Sequence, residues 1–486
     1  MPNRPLAAWA LALTLFAGLS TGCGFGESGV APPLDRIFLP QGVAADPGGR
    51  FLYVVNSNSD LRFNAGTVVM VDAAKAAESR AAAGWPRCPS AGFLPDDASV
   101  GAGRTCCWDY FDERILNCDD RSFIDAGKTV RIGSFGTQAV IEPRADIPGA
   151  SGRLYVAVRS EPSVTFLDLV PSGADMSLRC TAGGGREQLC EDAFKVRGDY
   201  TNPAATALRL LEEPNTLEID RTLGLLYVGH LVEGLSVIDL CGPTASLRSV
   251  NRRIFTQPGF GITSITIEEP GSPAGNLLVS GRPLFTGFQA PPGEVHALSL
   301  RGAGAGCATP FAGPREVEAV ESGVFFSSAF FANGIDIHDV VQSPSGDRAY
   351  LLHRNAGSRL NPPAVVEVDR SRDAQGKRLN RSVGLVETCA GPTEMHLHDA
   401  GRGPRLYVVC FEAGQVYIFD PNPLTLSGVI NVGRGPTRLV FSPTDPKVGY
   451  VVGFSDNNVS VLDLAPQSPT ENRVVQRIGF PQLRKR

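Results

Sequence analysis

Histidine and carboxylate residues near the starts of predicted strands are the side chains best suited to chemistry. Histidine occurs six times in the 486 residues, and His338, His396 and His398 fall in such segments together with Asp336 and Glu218. Residues two apart point to the same side of a strand, so His396 and His398 are expected to converge. Imidazole and carboxylate groups in this arrangement can hold a divalent metal or act as acid and base. Alternatively, the same groups hydrogen-bond the wall of a hydrated channel.

Other chemical motifs are missing from the sequence. It contains no Gly-x-Ser-x-Gly nucleophile elbow and no Cys-x-x-Cys-His haem attachment motif. The glycine-rich segments 183–185 and 302–306 lack the Lys-Ser/Thr end of a phosphate-binding loop. A second set of carboxylates ends predicted strands, where we expect each to cap a turn by accepting backbone N–H bonds. Its members are Asp72, Asp168, Asp239, Asp369, Asp420 and Asp463.

A repeated order of strands must position these residues. The first copy runs Pro40–Ala45, Phe51–Asn56 and Gly66–Asp72, which reads as strand, tight turn, strand, loop and strand ending in Asp. The pattern occurs seven times in all, with a fourth apolar stretch such as 427–433 between copies. One four-stranded sheet cannot bury both of its faces, whereas a closed ring of such sheets can. The sequence therefore predicts an all-β, seven-bladed β-propeller with four-stranded blades.

Two elements of this repeat resemble a known family. Leu52-Tyr53-Val54-Val55-Asn56 and the segment Gly66–Asp72 are similar to the YVTN-type propeller repeat of surface-layer proteins and lactonase-like propellers. The resemblance covers roughly residues 36–481. It implies the propeller fold, but the repeat carries lactonases, redox proteins and adhesion or binding proteins. The lactonase-like relatives use His, Arg and Glu at the channel mouth, and no motif of this sequence matches theirs residue by residue.

The first residues have the composition of an export signal. Residues 1–22 comprise a short positive segment, an apolar run and small residues before Cys23, which resembles the lipid-modification motif of bacterial lipoproteins. Ser20 stands where that motif usually has Leu, and a plain signal peptide is the alternative. Residue 24 is Gly rather than the Asp that favours retention of a lipoprotein in the inner membrane, so anchoring in the outer membrane is favoured. Residues 23–35 are interpreted as a lipidated tether, and residues 482–486 as a tail.

Ten cysteines remain after Cys23, an even number that suits disulfides in an oxidising compartment. Cys180 with Cys190 is expected to close a loop, Cys389 with Cys410 to join neighbouring strands, and Cys241 with Cys307 to join successive repeats. The other four are Cys88, Cys106, Cys107 and Cys118. Their pairing stays open. Zinc is the alternative for these four, but they lack Cys-x₂-Cys spacing.

Two predicted insertions, at about 73–128 and 171–204, interrupt the repeat. The first contains Trp85, Trp108, Tyr110 and Phe111. Long loops on a rigid scaffold often carry binding specificity, although a disulfide-pinned cover over one face of the ring is the alternative. For closure of the ring, we favour the C-terminal segment 473–480 as the fourth strand of the last blade.

Two functional hypotheses follow. The first is a non-catalytic binding or scaffold module of the cell envelope, attached to the membrane by its lipid and binding a protein or glycan on its loop face. The second is a lactonase-like hydrolase with a metal or His/Glu site at the channel. No cofactor is expected under the first hypothesis, and a divalent metal under the second. With a formal net charge of −5 and scattered basic residues, we expect a monomer that binds no nucleic acid.

Overall fold

The computed structural model describes most of the region predicted to form the propeller. The described residues are 29–88, 105–181, 188–197, 208–232, 234–242, 244–251, 260–268, 276–283, 294–302, 306–307, 317–327, 336–354 and 362–479. The predicted signal peptide 1–22, Cys23 and the tail 482–486 lie outside them. Among the described residues, no helix has the length and apolar character needed to span a bilayer.

Short strands make up nearly all of the regular structure. The first half of the chain contains β1 (Pro40–Ala45), β2 (Phe51–Asn56), β3 (Gly66–Asp72), β4 (Cys106–Trp108), β5 (Leu116–Cys118), β6 (Val130–Ile132), β7 (Gly136–Pro143), β8 (Gly152–Val158), β9 (Ser163–Ser172), β10 (Asp175–Arg179), β11 (Lys195–Val196), β12 (Pro214–Asp220), β13 (Leu225–His230), β14 (Leu235–Asp239) and β15 (Ser246–Asn251). The second half contains β16 (Phe260–Ile267), β17 (Asn276–Pro283), β18 (Glu294–Arg301), β19 (Glu318–Ser327), β20 (Asp336–Gln342), β21 (Arg348–Arg354), β22 (Ala364–Asp369), β23 (Arg381–Glu387), β24 (Pro392–His398), β25 (Arg405–Cys410), β26 (Gln415–Pro421), β27 (Leu424–Asn431), β28 (Pro436–Phe441), β29 (Val448–Gly453), β30 (Asn458–Asp463) and β31 (Arg473–Ile478). The α-helix α1 (Ala73–Ala81) and three single 3₁₀ turns at Asp120–Ser122, Ala126–Lys128 and Asp192–Phe194 complete the elements.

These strands form seven sheets, and the predicted seven-bladed propeller is confirmed. Counted from the channel outwards, the blades are β1-β2-β3-β6, β7-β8-β9-β10, β12-β13-β14-β15, β16-β17-β18-β19, β20-β21-β22-β23, β24-β25-β26-β27 and β28-β29-β30-β31. Neighbouring strands within each blade are antiparallel, and β11 adds to β9 in the second blade. β31 pairs with β30, so the prediction that the C-terminal segment completes the last blade is also confirmed.

The hydrophobic core lies between the blades. Every residue of β2 is buried, because its alternate side chains face opposite neighbours. Val54 packs in one cluster with Val452 of the seventh blade, whereas Val55 packs in another with Val156 of the second blade. Each such buried side chain contributes about 1.5–3 kcal/mol, which explains why the apolar, β-branched repeat specifies a ring.

The predicted turn role is confirmed for three of the strand-ending aspartates, whereas Asp168 and Asp420 lie before the ends of their strands and pair with the side chains of Arg153 and Arg405. Asp239, Asp369 and Asp463 accept hydrogen bonds from the N–H groups two residues later, at 2.9–3.0 Å. Asp72 caps α1 instead, because its carboxylate accepts from the N–H of Lys75 at 2.9 Å. These carboxylates therefore act in local structure.

All seven inner strands contain a bulge near their start. The register shifts lie at Pro40/Gly42, Gly136/Ala139, Pro214/Thr216, Ile262/Ile265, Ile337/Asp339, Pro392/Glu394 and Pro436/Arg438. In four blades the bulge holds a threonine whose hydroxyl donates to a carbonyl of the next blade. These threonines are Thr137, Thr263, Thr393 and Thr437. The last donates to Pro40 and so links the seventh blade to the first.

We predict that Thr137→Val lowers the free energy of unfolding by about 1 kcal/mol, because it removes a hydroxyl that donates to the Asn215 carbonyl at 2.9 Å. Thr137 is buried, whereas Thr425 is exposed on β27 and makes the control Thr425→Val. Urea unfolding followed by fluorescence measures both variants. Equal effects of the two substitutions would show that the inter-blade bond contributes nothing.

The first insertion adds strands to the last blade. β5 pairs in parallel with β31, matching Gln476 with Leu116 and Ile478 with Cys118, and β4 pairs with β5. The sheet of the seventh blade is therefore six-stranded. The predicted alternative of a cover over one face is wrong for residues 105–118, since they extend a sheet at the outer rim. Three-residue strands carry too little pattern to predict this pairing.

This extension, which we name the clasp (residues 105–118), is held at both ends. The four cysteines whose pairing the sequence left open form Cys88–Cys107 and Cys106–Cys118 disulfides. Leu116 is buried with Ile478 in the cluster shared by the first and seventh blades. Nearby, the Asp120 carboxylate accepts from the N–H of Ile37 at 2.7 Å. The clasp therefore joins the first and last repeats across the seam of the ring.

The three predicted pairs, Cys180–Cys190, Cys241–Cys307 and Cys389–Cys410, are confirmed as disulfides. The second predicted insertion, about 171–204, begins later than its sequence suggested, because residues 175–179 form β10, the outer strand of the second blade. The described residues that follow include the loop closed by Cys180–Cys190.

Candidate functional site: the central channel

The inner strands surround a cavity of about 580 Å³ on the ring axis. Polar side chains from six blades line it: Gln138, Thr216, Glu218, Ser264, Asp339, Glu394, His396 and Arg438. Six of these eight are the third residue of a bulged strand start, which explains why they reach the same depth. Glu218 and His396 lie two residues further along their strands and so face the same side.

Glu394 is the most heavily engaged channel residue. Its carboxylate is buried, accepts from Arg438 Nη1 at 2.8 Å and from the N–H of Leu439, and lies 3.1 Å from His396 Nε2. Burial alone would raise the pKa of Glu394, but His396 and Arg438 hold it at about 2. In return, Glu394 raises the pKa of His396 above its ordinary value against the opposing effect of burial.

Asp339 occupies the equivalent place in the fifth blade. Its carboxylate accepts from the N–H of Met395 in the sixth blade at 2.6 Å and from the hydroxyl of Ser264 in the fourth. Burial raises the pKa of Asp339, and these hydrogen bonds offset only part of that effect. Asp339 therefore joins three successive blades.

The same contact recurs elsewhere in the ring. Gln138 Oε1 accepts from the N–H of Leu217 at 2.8 Å, and the Ser264 hydroxyl accepts from the N–H of Val340 at 3.4 Å. Counted from the first residue of each bulge, the acceptor is in each case the third residue of one inner strand and the donor is the fourth residue of the next. We name Gln138, Ser264, Asp339 and Glu394 the channel ties.

Glu218 differs from the channel ties. It is partly exposed to the cavity, and it accepts no hydrogen bond within the described residues. Burial raises the pKa of Glu218 to about 7, and the nearby Asp339 and Asp220 add to the increase while Arg221 opposes it. Glu218 therefore changes protonation near neutral pH while the carboxylates around it are held by donors.

The other predicted site residues do not join this group. His398 lies at the end of β24, where its ring stacks on Phe441 at 3.7 Å and Nε2 lies 2.6 Å from the Pro446 carbonyl oxygen. His338 falls within the bulge of β20, and its Nε2 is 3.5 Å from Arg354. Asp336 is buried at the start of the same strand. The structure thus brings together His396 and Glu218 of the five predicted residues.

Sequence reasoning missed Asp339, Glu394 and Arg438 as channel residues. The signal that finds them is an alignment of the strand starts, in which Ile-His-Asp, Pro-Thr-Glu and Pro-Thr-Arg place the three residues in one column. Within the described part of the chain, no three His, Cys, Asp or Glu side chains are grouped closely enough to hold a metal ion.

No protein-family model and no curated protein matches the sequence. Among solved structures, the chain is similar to Kuenenia stuttgartiensis hydrazine synthase, at 13% identity over 92% of this chain and 99% of that chain, with a TM-score of 0.49. It is also similar to a putative 6-phosphogluconolactonase from Bacteroides uniformis, at 14% identity over 70% and 85% of the chains, with a TM-score of 0.45. A third is the β-propeller domain of a Myceliophteria thermophila protein, at 10% identity over 88% and 96%, with a TM-score of 0.46. These similarities concern the fold and assign neither a residue nor an activity.

Proposed function

We propose that this protein is a non-catalytic β-propeller binding module that is exported and held at the cell envelope by a lipid on Cys23. The observation that carries the proposal is the use of the channel carboxylates. Asp339 and Glu394 each accept a backbone N–H from the following blade, so both are committed to holding the ring together. A general acid or base must instead reach its substrate and exchange a proton with it.

The cysteines support the envelope location. Five disulfides join the ten cysteines that follow Cys23. Such bonds persist in oxidising compartments and are rare in the cytosol. Labelling of cells with a clickable palmitate analogue, followed by fractionation, tests the anchor. The label should enter the native chain and be absent from Cys23→Ser; a native chain that stays unlabelled and soluble would contradict lipid anchoring.

A hydrolase is the second candidate, because Glu218 has the protonation behaviour of a general acid or base. Its pKa of about 7 lies near the optimum for proton transfer at neutral pH. Under this alternative, the Glu218 carboxyl would activate a water in the channel for attack on an ester or lactone.

We predict that Glu218→Gln leaves hydrolysis of a panel of lactones and aryl esters at the level of the native protein. The same substitution should raise stability above about pH 7, by up to about 2 kcal/mol. The pKa of Glu218 in the folded protein, about 7, exceeds the ordinary glutamate value of 4.5, so the folded state favours the protonated carboxyl. The protonated Glu218 carboxyl therefore makes its full contribution to stability below about pH 4.5, and this contribution is lost as the pH rises through about 7.

Initial-rate assays and urea unfolding across this pH range measure the two effects, with the exposed-site variant Glu412→Gln as the control. The hydrolase hypothesis would be favoured over the binding module if the native protein hydrolysed a substrate, Glu412→Gln retained this activity and Glu218→Gln lost it.

A further inference from the structure

The outer strand of the sixth blade lacks the usual protection of a sheet edge. β27 has eight residues, Leu-Thr-Leu-Ser-Gly-Val-Ile-Asn, with no charge and no proline. Edge strands of soluble proteins normally carry such residues, because an open edge otherwise pairs with another chain. The outer strands of the other blades all contain charged residues: Arg131, Asp175, Arg179, Arg248, Glu318, Glu321, Arg381, Glu387, Arg473 and Arg477.

The neighbouring blade shows what such an edge can bind. β27 and β31 each contain a bulge, at Ser427 and Val475, and matching the two bulges aligns Gly428–Ile430 with Gln476–Ile478. In the seventh blade this segment pairs with β5 of the clasp. In the sixth blade no described strand pairs with it. The fifth strand position is therefore filled in one blade and open in the next.

The clasp turns this open position into a slot. Because β5 and β4 extend the seventh blade outwards, they form a wall beside the edge of the shorter sixth blade. A cavity of about 430 Å³ lies there, lined by Asp112 and Ile115 of the clasp, by Gly428–Asn431 of β27, and by residues 471–474 and Arg477 of the seventh blade. A second cavity of about 640 Å³ continues the slot past Asn431 and Arg477.

Apolar side chains near the open edge of β27 are left in contact with solvent. Leu426 and Val429 are 48% and 39% exposed, on the face that Phe419 turns towards the fifth blade, and Phe111 in the turn of the clasp is 86% exposed. The bulge leaves Ser427 unpaired, so Leu426 and Val429 lie on the same face of the sheet. Exposed aromatic and aliphatic side chains next to an open strand edge are typical of a peptide-binding surface.

We propose that this slot binds an extended, uncharged segment of a partner protein, which adds to β27 as a fifth strand of the sixth blade. The site is continuous with the clasp interface, in which β5 makes the equivalent addition one blade away. This inference rests on the proposed function and names the chemistry of the bound partner.

A synthetic blocked peptide of alternating threonine and valine, labelled with fluorescein, serves as the probe. Its fluorescence polarisation should rise on titration with the folded protein from residue 24 onwards. Val429→Lys should weaken binding by about tenfold or more, since it places a charge on the pairing edge. Val383→Lys is the matched control, because Val383 is a similarly exposed valine on β23, the outer strand of the fifth blade. It should bind as the native protein does.

A peptide of the same sequence with alternate N-methylated amides tests the mode of binding. It keeps the side chains but loses the N–H groups that pair with a strand edge, so it should not bind. Absence of binding by the unmodified peptide, equal binding of the methylated one, or equal losses in the two lysine variants would each overturn the proposal. A concentration-dependent dimer that only Val429→Lys abolishes would make a second copy the occupant. None of these outcomes depends on hydrolysis, so failure here is distinct from failure of the binding-module proposal.

Discussion

Glu394→Ala should lower the free energy of unfolding by about 4 kcal/mol at neutral pH. The substitution removes the acceptor of Arg438 and of the Leu439 N–H, and it leaves the charge on His396 without its carboxylate partner. Loss of one member of a buried ion pair costs more than loss of an exposed pair, because the remaining charge stays in an environment of low polarity. The sixth and seventh blades should separate first.

Urea unfolding with Glu412→Ala as the exposed control measures this effect, and Glu394→Gln should retain part of the native stability. The pH dependence provides a second readout. The pKa of Glu394, about 2, lies below the ordinary glutamate value of 4.5, so the contribution of Glu394 to stability is complete above about pH 4.5 and lost as the pH falls towards 2. Glu394→Gln should lack this acid-dependent loss. A Glu394→Ala protein as stable as the control would show that the channel ties do not hold the ring.

Removal of the Cys106–Cys118 disulfide should cost about 3 kcal/mol from loop entropy and should in addition open the seam of the ring. The matched control is removal of Cys180–Cys190. The two bonds close similar loops, with sequence separations of 12 and 10, but only the first lies in the clasp. The double variants Cys106→Ala/Cys118→Ala and Cys180→Ala/Cys190→Ala should therefore lose similar entropic stabilisation and differ at the seam.

Hydrogen exchange followed by mass spectrometry distinguishes the two variants. Amides of β31 and of the segment around Ile37 should exchange faster without Cys106–Cys118, because β5 pairs with β31 and Asp120 accepts from the N–H of Ile37. They should remain protected in the control. Equal protection of β31 in both variants would mean that the clasp is attached to the ring without closing it.

The fold could be predicted from the sequence because the residue pattern that specifies a blade is repeated along the chain. Each copy of the Leu-Tyr-Val pattern is short and weak, but several copies with the same order of strand and turn specify a blade and its neighbours. The cysteine pairs on adjacent strands or within one loop followed from the same order. The partners of Cys106 and Cys107 could not be predicted in this way, because these two cysteines are adjacent and could exchange partners without any change in the order of the strands.

The channel was predicted less well for a geometric reason. The expected period of two placed His338 on the same face as Asp336, but the bulge after Ile337 adds one residue, so that Asp339 rather than His338 lines the channel. A bulge shifts every later side chain to the opposite face. The clasp was missed because its pairing joins residues about 360 positions apart through strands of three residues.

The clasp also has a consequence for biosynthesis. Ribosomes deliver this polypeptide from its first repeat to its last, and the hairpin bonded by Cys106–Cys118 is complete long before Gln476–Ile478 emerge. Its docking surface is thus made long after the hairpin itself. A nascent chain that stopped before Arg473 would leave both that hairpin and the outer edge of the seventh blade without a partner. We therefore expect the clasp to dock only once β31 has been made.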